Sequence, residues 1–155
     1  MHTYLATTTW NRGGQAFSDN KYSRAHELIF DGGVRVPASS SPLSVPEPMS
    51  VAANVDPEEA FVAAASSCHL LVFLYVACKA GFVVDSYLDQ ATGEMNRNEA
   101  GKFAITRIIL RPKIVFSGAR QPSAEELESL HHAAHDDCYI ANSIKAEIVV
   151  ETPTA

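Results

Sequence analysis

Three features of the chain predict an α+β fold. The N-terminal third is rich in β-branched and aromatic residues. A long apolar helix, "DPEEAFVAAASSCHLLVFLYVACKAGF" from Asp56 to Phe82, follows it. Beyond that helix, strands and helices do not alternate regularly, which disfavours a doubly wound parallel sheet. At 155 residues, 46% hydrophobic and 19% charged, the chain reads as a single domain, 1–155, long enough to bury a core.

"TYLATTTW" reads as a first strand and "NRGG" as a turn. "YSRAHELIF" alternates as a second strand and ends at the turn "DGG". Residues 36–54, "VPASSSPLSVPEPMSVAAN", hold four prolines and five serines. Proline excludes helix there, and no continuous central strand fits, so a long surface loop is expected. A loop of this length is often functional or covers something.

The long helix then begins at a capping box. Asp56 is the N-cap, Pro57 takes the first helical position, and Glu59 answers the cap. Glu58 and Glu59 complement the positive helix end. Gly81 stops the helix. Its body is apolar almost all round, which predicts burial on most sides. Residues 83–93 and 103–116 read as a pair of strands around the turn "NRNEAGK". A second helix is expected from Ser123, with Glu126 completing another capping box. "CYIANSI" reads as a short turn or helix leading into a last strand, "KAEIVVE".

The net charge is −6, and lysines and arginines are scattered. A nucleic-acid partner needs a basic stripe, so none is expected. "MHTYLATTTW" has neither the basic start nor the apolar core of a signal peptide, and a cytoplasmic protein is expected. About 20 apolar residues could cross a bilayer. Against that reading, Ser66, Ser67, Cys68 and His69 sit mid-span, alanines crowd one half, and no aromatic or basic flanks anchor it. No membrane association is expected.

Three cysteines, Cys68, Cys78 and Cys138, make no secreted disulfide framework, and such cysteines are usually inert core residues. Cys68 lies mid-helix, away from the helix start that favours a thiolate. His69 points about 100° away from it and reads more readily as a satisfied core histidine than as its partner. Glu58 and Cys78 each stand ten residues from Cys68, or ~15 Å along a helix. Neither can touch it within one helix. Glu58 reaches Cys68 only if a second copy of the helix runs antiparallel beside the first; otherwise it serves the helix start alone. Cys78 reads as a packing residue. Cys138 precedes "YIANSI" and lies near the start of a helical turn, where thiolate is favoured. A rival signal is "HHAAHDDC". His131 and His135 share a helix face, and Asp136, Asp137 and Cys138 could complete a metal site, although His132 stands where a metalloprotease has its glutamate. A solvated polar helix end is the plainer alternative for these histidines.

"NVDPEEAFVAAASSCH" resembles the Asn-Pro-Glu-Glu/Gln-Leu-(apolar)-Ala-Ala-x-x-x-Cys segment of the OsmC and organic hydroperoxide resistance (Ohr) family. "HDDCYIANSIKAEIVV" is similar to that family's second cysteine segment, and the spacing of 70 residues between Cys68 and Cys138 is also similar. The resemblance implies an OsmC-like α+β fold, with antiparallel sheets packed around a long buried apolar helix, and two chains intertwined as a homodimer with active sites at the interface. A helix apolar all round would then be covered by the second chain. The resemblance further implies a thiol-dependent, peroxiredoxin-like enzyme that reduces organic hydroperoxides. Cys68 matches the peroxidatic cysteine and Cys138 the resolving one. Glu58 matches the glutamate that would hold an arginine over the sulfur. Arg24 is the best match for that arginine, with Arg35 and Arg12 as alternatives. No bound cofactor is implied, and a lipoyl-type dithiol would supply electrons. His69 and Tyr139 stand where the family often has an apolar or aromatic residue and a proline. Two other readings compete: a dimeric small-molecule-binding protein on the same fold without peroxidase turnover, and metal binding through the His-rich second helix.

Overall fold

The computed structural model describes residues 1–151, and the chain divides into two compact units, Met1–Ala60 and Phe61–Ala155. The first unit holds a three-stranded antiparallel sheet of β1 (Ala6–Thr9), β2 (His26–Phe30) and β3 (Arg35–Ala38), in that order. β2 and β3 form a hairpin across the "DGG" turn, where Gly33 takes a φ of 85° that suits glycine. β1 and β2 are joined by a longer excursion than the "NRGG" turn suggested. Residues 10–25 fold around Trp10, Phe17 and Tyr22, with the Phe17 and Tyr22 rings stacked 4.6 Å apart.

The proline-rich stretch is the expected surface loop over residues 39–54, exposed at 42–44 and 46–48, but differs from that expectation at its start and in its serines. Its first residues form β3, with Pro37 on an edge strand, where a missing N–H is tolerated. Ser39 and Ser50 are fully buried, and the Ser39 hydroxyl accepts from the Val51 N–H at 3.0 Å. The loop therefore folds back on itself around its own serines.

The helix α1 runs from Pro57 to Lys79. Its start carries the expected capping box: the Glu59 N–H donates to Asp56 Oδ1 at 2.8 Å, and the Asp56 N–H donates to Glu59 Oε2 at 3.2 Å. Its end is a Schellman motif. The Phe82 N–H bonds the Ala77 carbonyl and the Gly81 N–H bonds that of Cys78, with Gly81 at φ 82°.

In the second unit, each of the two strands expected after α1 is divided into two. β4 (Val83–Asp89) pairs with β7 (Pro112–Ser117), and β5 (Thr92–Arg97) pairs with β6 (Phe103–Leu110). The break sits where Asp89 Oδ1 takes the Arg111 N–H at 2.6 Å, removing that donor from the ladder. β8 (Glu147–Val150) joins β6 in parallel, an exception among otherwise antiparallel strand pairs. The helix α2 (Ala124–Asp136) starts at Ser123 with both halves of the predicted capping box formed. A short 3₁₀ turn, Ala141–Ser143, precedes β8, as "CYIANSI" suggested.

Two apolar clusters meet along α1. Phe73 and Ala77 pack with Phe82, Leu130 and Ala134, joined by Tyr87 and Phe116. Ala65 packs with Ile108 and Leu110, joined by Ile140, Ile144 and Ile148. Gly93 lets β5 pass close to the helix, because a Cβ there would stand 2.6 Å from Val62. The buried stripe of α1 is Ala65, His69, Phe73 and Ala77, one residue per turn. The other side is not buried by the described residues. Leu71 is 64% exposed and Tyr75 61%, and Ala64, Ser67, Leu74 and Cys78 are exposed with them. Burial on most sides, expected from the composition, is therefore met on one stripe only.

Candidate active site

Cys68 sits half-buried in the middle of α1, one residue before the buried stripe reaches His69. Cys138 lies just beyond α2 and is fully buried. Its position is fixed from both sides in the chain. The Cys138 N–H bonds the His135 carbonyl, and the Asn142 amide bonds the Cys138 carbonyl at 3.0 Å. The 3₁₀ turn then aims backbone donors at the sulfur, with the Ala141 N–H 3.4 Å from Cys138 Sγ. The Cys68 thiol lies close enough to the Cys138 thiol to raise its pKa. The fold thus brings together two cysteines that are 70 residues apart, both of them free thiols.

Burial pushes the Cys138 thiol above its ordinary range, and the adjacent Cys68 thiol pushes it further. The N–H groups of Ala141 and Ile140 oppose both effects. Burial prevails, so Cys138 rests as a thiol. Cys78 is exposed on the uncovered side of α1, so nothing within the described residues packs over it.

His69 is buried, as a core histidine should be, but its partner is one the sequence did not suggest. Its Nε2 shares a hydrogen bond with Nδ1 of His131, at 3.1 Å. The ring planes are 13° apart while the centroids are 5.4 Å apart, so the imidazoles meet edge to edge in nearly one plane. Phe73 packs on His131 at 4.6 Å. Burial lowers the His69 pKa to about 4, with His131 and His135 adding to the effect and Asp89 opposing it; burial lowers His131 to about 4 as well. Both rings are neutral near pH 7.

This pairing changes the reading of "HHAAHDDC". His131 is buried rather than part of a solvated helix end, and its Nδ1 is engaged by His69. His132 is the exposed member and faces Asp136 at 3.4 Å. Among the described residues, no three His, Cys, Asp or Glu side chains converge as metal ligands.

Asp89 is a further residue that the sequence did not single out. It accepts from the Ser66 hydroxyl at 2.5 Å and from the Arg111 N–H, so it ties α1 to the strand break two residues before Cys68. Burial, with the Asp89 carboxylate adding, pushes the neighbouring Tyr87 phenol far up.

The first unit carries Glu58 and the candidate arginines. Glu58 is half-buried in the first turn of α1, and its carboxylate has no partner among the described residues. The Arg24 guanidinium lies over the Tyr22 ring at 4.0 Å and donates to Asn20 Oδ1 at 2.6 Å and to the Asn20 and Tyr22 carbonyls. Arg35 pairs with Glu27, and Arg12 donates to the Gln15 carbonyl at 2.9 Å. A pairing of Glu58 with any of the three is not formed within the single chain.

A family model described as OsmC-like protein matches residues 51–153. No functionally curated protein matches the sequence. Among solved structures, an OsmC-like protein of unknown function from Vibrio cholerae is 52% identical, with a TM-score of 0.96, over 99% of this chain and 100% of that one. An organic hydroperoxide resistance protein from Elizabethkingia anophelis is 21% identical, with a TM-score of 0.70, over 98% of this chain and 94% of that one. The organic hydroperoxide resistance protein OhrB of Bacillus subtilis is 19% identical, with a TM-score of 0.68, over 98% of each chain. The last two likenesses establish the shared fold.

Proposed function

The chain belongs to the OsmC-like family, and from that premise we propose that it is a thiol-dependent peroxidase that reduces organic hydroperoxides through Cys68 and Cys138. The observation that carries this reading is the meeting of the two thiols, with the buried Cys138 kept protonated beside the more accessible Cys68.

The Cys68 thiolate attacks the distal oxygen of the hydroperoxide. An S–O bond forms, the O–O bond breaks, and the alkoxide leaves as an alcohol after taking a proton. Cys68 is now a sulfenic acid. The Cys138 sulfur attacks the Cys68 sulfur, its proton leaves with the hydroxyl as water, and a disulfide closes. An external dithiol of the lipoyl type returns both thiols by exchange and is itself oxidised to its disulfide. Resting as a thiol suits Cys138 to this order of events, since it holds its proton until the sulfenic acid appears.

The working form is a homodimer. Ala64, Ser67, Leu71, Leu74 and Cys78 are exposed at alternating spacings of three and four residues, the pattern of a helix seam that packs on another helix. A second copy of the chain would cover it. Glu58 and one of Arg24, Arg35 and Arg12 would complete the site at that interface. An arginine there would donate to the thiolate and orient the peroxide oxygen.

The test is a thiol count on the reduced protein before and after one equivalent of cumene hydroperoxide, with the modified residues mapped by peptide mass spectrometry. Two thiols are expected to disappear, with a Cys68–Cys138 crosslink. Cys68→Ser should consume no peroxide, and Cys138→Ser should turn over once and then stall or over-oxidise at Cys68. Three unreacted thiols in the native protein would refute the proposal.

A further inference from the structure

The His69–His131 pair lies on the junction between α1 and α2, and nothing in the chemistry above uses it. In whichever direction the shared proton points, one outer ring nitrogen keeps an N–H and the other a lone pair. Both outer atoms, Nδ1 of His69 and Nε2 of His131, are buried with no partner among the described residues. Such a pair does little for stability, because two apolar side chains of similar shape would fill the space without orphaned polar atoms. What it supplies is direction. The apolar contacts of Phe73 and Ala77 with Leu130 and Ala134 tolerate sliding and rotation. A hydrogen bond between coplanar rings weakens steeply off its angle.

Its placement gives that direction a consequence. His69 directly follows Cys68 on α1, and His131 lies on α2, seven residues before Cys138. The histidine bond and the two thiols therefore join the same two stretches of chain. We infer that the His69–His131 hydrogen bond is a positioning device, which holds α2 in register on α1 and so sets Cys138 against Cys68. His69 and His131 are positioning residues, acting through the two cysteines. This rests on the reading of Cys68 and Cys138 as a reacting pair, but its test needs no peroxide.

The full-length protein is equilibrated anaerobically with reduced and oxidised glutathione, and the Cys68–Cys138 disulfide is quantified by mass spectrometry. The equilibrium measures how well the two thiols are presented to each other. His131→Leu, and the double variant His69→Leu with His131→Leu, should lower that equilibrium constant about tenfold, a potential about 30 mV less reducing. The double variant should melt no lower than the native protein. In His131→Asn the amide stands where Nδ1 stood, and it should restore most of the constant. A stable double variant with the native equilibrium would overturn the inference. So would an asparagine variant as impaired as the leucine one, because packing would then set the thiols. Native protein that closes this disulfide in glutathione but consumes no peroxide would sink the peroxidase reading and leave the positioning role standing.

Discussion

The two faces of α1 carry similar residues and have different fates. One face, Ala65, His69, Phe73 and Ala77, is sealed by α2 and the sheets of the second unit. The other, Ala64, Ser67, Leu71, Leu74 and Cys78, is equally apolar in composition and stays uncovered by the described residues of its own chain. Apolar character along a helix thus signals that water must be excluded, but not which molecule excludes it. The polar residues divide the faces more sharply. The histidine of the sealed face finds a partner 62 residues away, whereas Ser67 and Cys78 on the open face have none from this chain among the described residues.

Phe73→Ala should test the sealed face with the largest effect. Phe73 is fully buried against His131, Tyr87 and Phe116, and its truncation should cost ~3–5 kcal/mol. Chemical denaturation should show that loss undiminished as the protein is diluted. A loss below about 1 kcal/mol would mean that the α1–α2 junction collapses to fill the gap.

Acid should probe the same face through its histidines. Their folded-state pKa values, about 4, lie below the ordinary 6.5. The unfolded chain therefore binds more protons than the folded one between those values. Holding the histidines neutral costs the fold nothing above pH 6.5 and destabilises it progressively as pH falls toward 4. If the coupled rings together account for one extra proton taken up on unfolding, the loss across that window is about 3 kcal/mol. The double leucine variant should flatten this part of the stability profile, and an identical slope in native and variant proteins would assign it to other groups.

Leu71→Ala sharpens the comparison because it makes a similar truncation on the open face. On a seam covered by a second copy it should cost ~2 kcal/mol, and the loss should disappear on dilution as the dimer dissociates. Sedimentation of the native protein against the variant reads this directly. A native protein that sediments as a monomer at every concentration would remove the reason for the open face given above.

What was legible in the sequence follows the range of the interactions. Asp56 with Glu59, Ser123 with Glu126, Gly81 as a stop, and Cys138 ahead of a helical turn are all settled within about four residues, and each stands where the sequence put it. The strand breaks were not legible, because the Asp89 carboxylate that takes the Arg111 N–H comes from 22 residues away. His69 reads locally as a core histidine, but nothing near it in the sequence names His131. The serines of the proline-rich loop misled for a related reason. They look solvent-facing by type, yet Ser39 is buried by bonding Val51 in its own loop.

The smallest effect belongs to the helix caps, and it links that local legibility back to the site. Ser123 accepts the Glu126 N–H at 3.1 Å, and the Ser123 N–H donates to Glu126 Oε2 at 2.9 Å. The Ser123 N–H and the adjacent Arg120 hold the Glu126 carboxyl below the usual carboxylate range, so this half of the cap is formed at neutral pH. Ser123→Ala should cost ~1 kcal/mol in stability. It leaves the Leu130, His131 and Ala134 contacts two turns further on untouched, and with them the seat of Cys138. The glutathione equilibrium of the Ser123→Ala protein should therefore match that of the native protein. A shift as large as that of His131→Leu would mean that any loosening of α2 moves the thiols apart, and that the histidine pair has no special part in holding them.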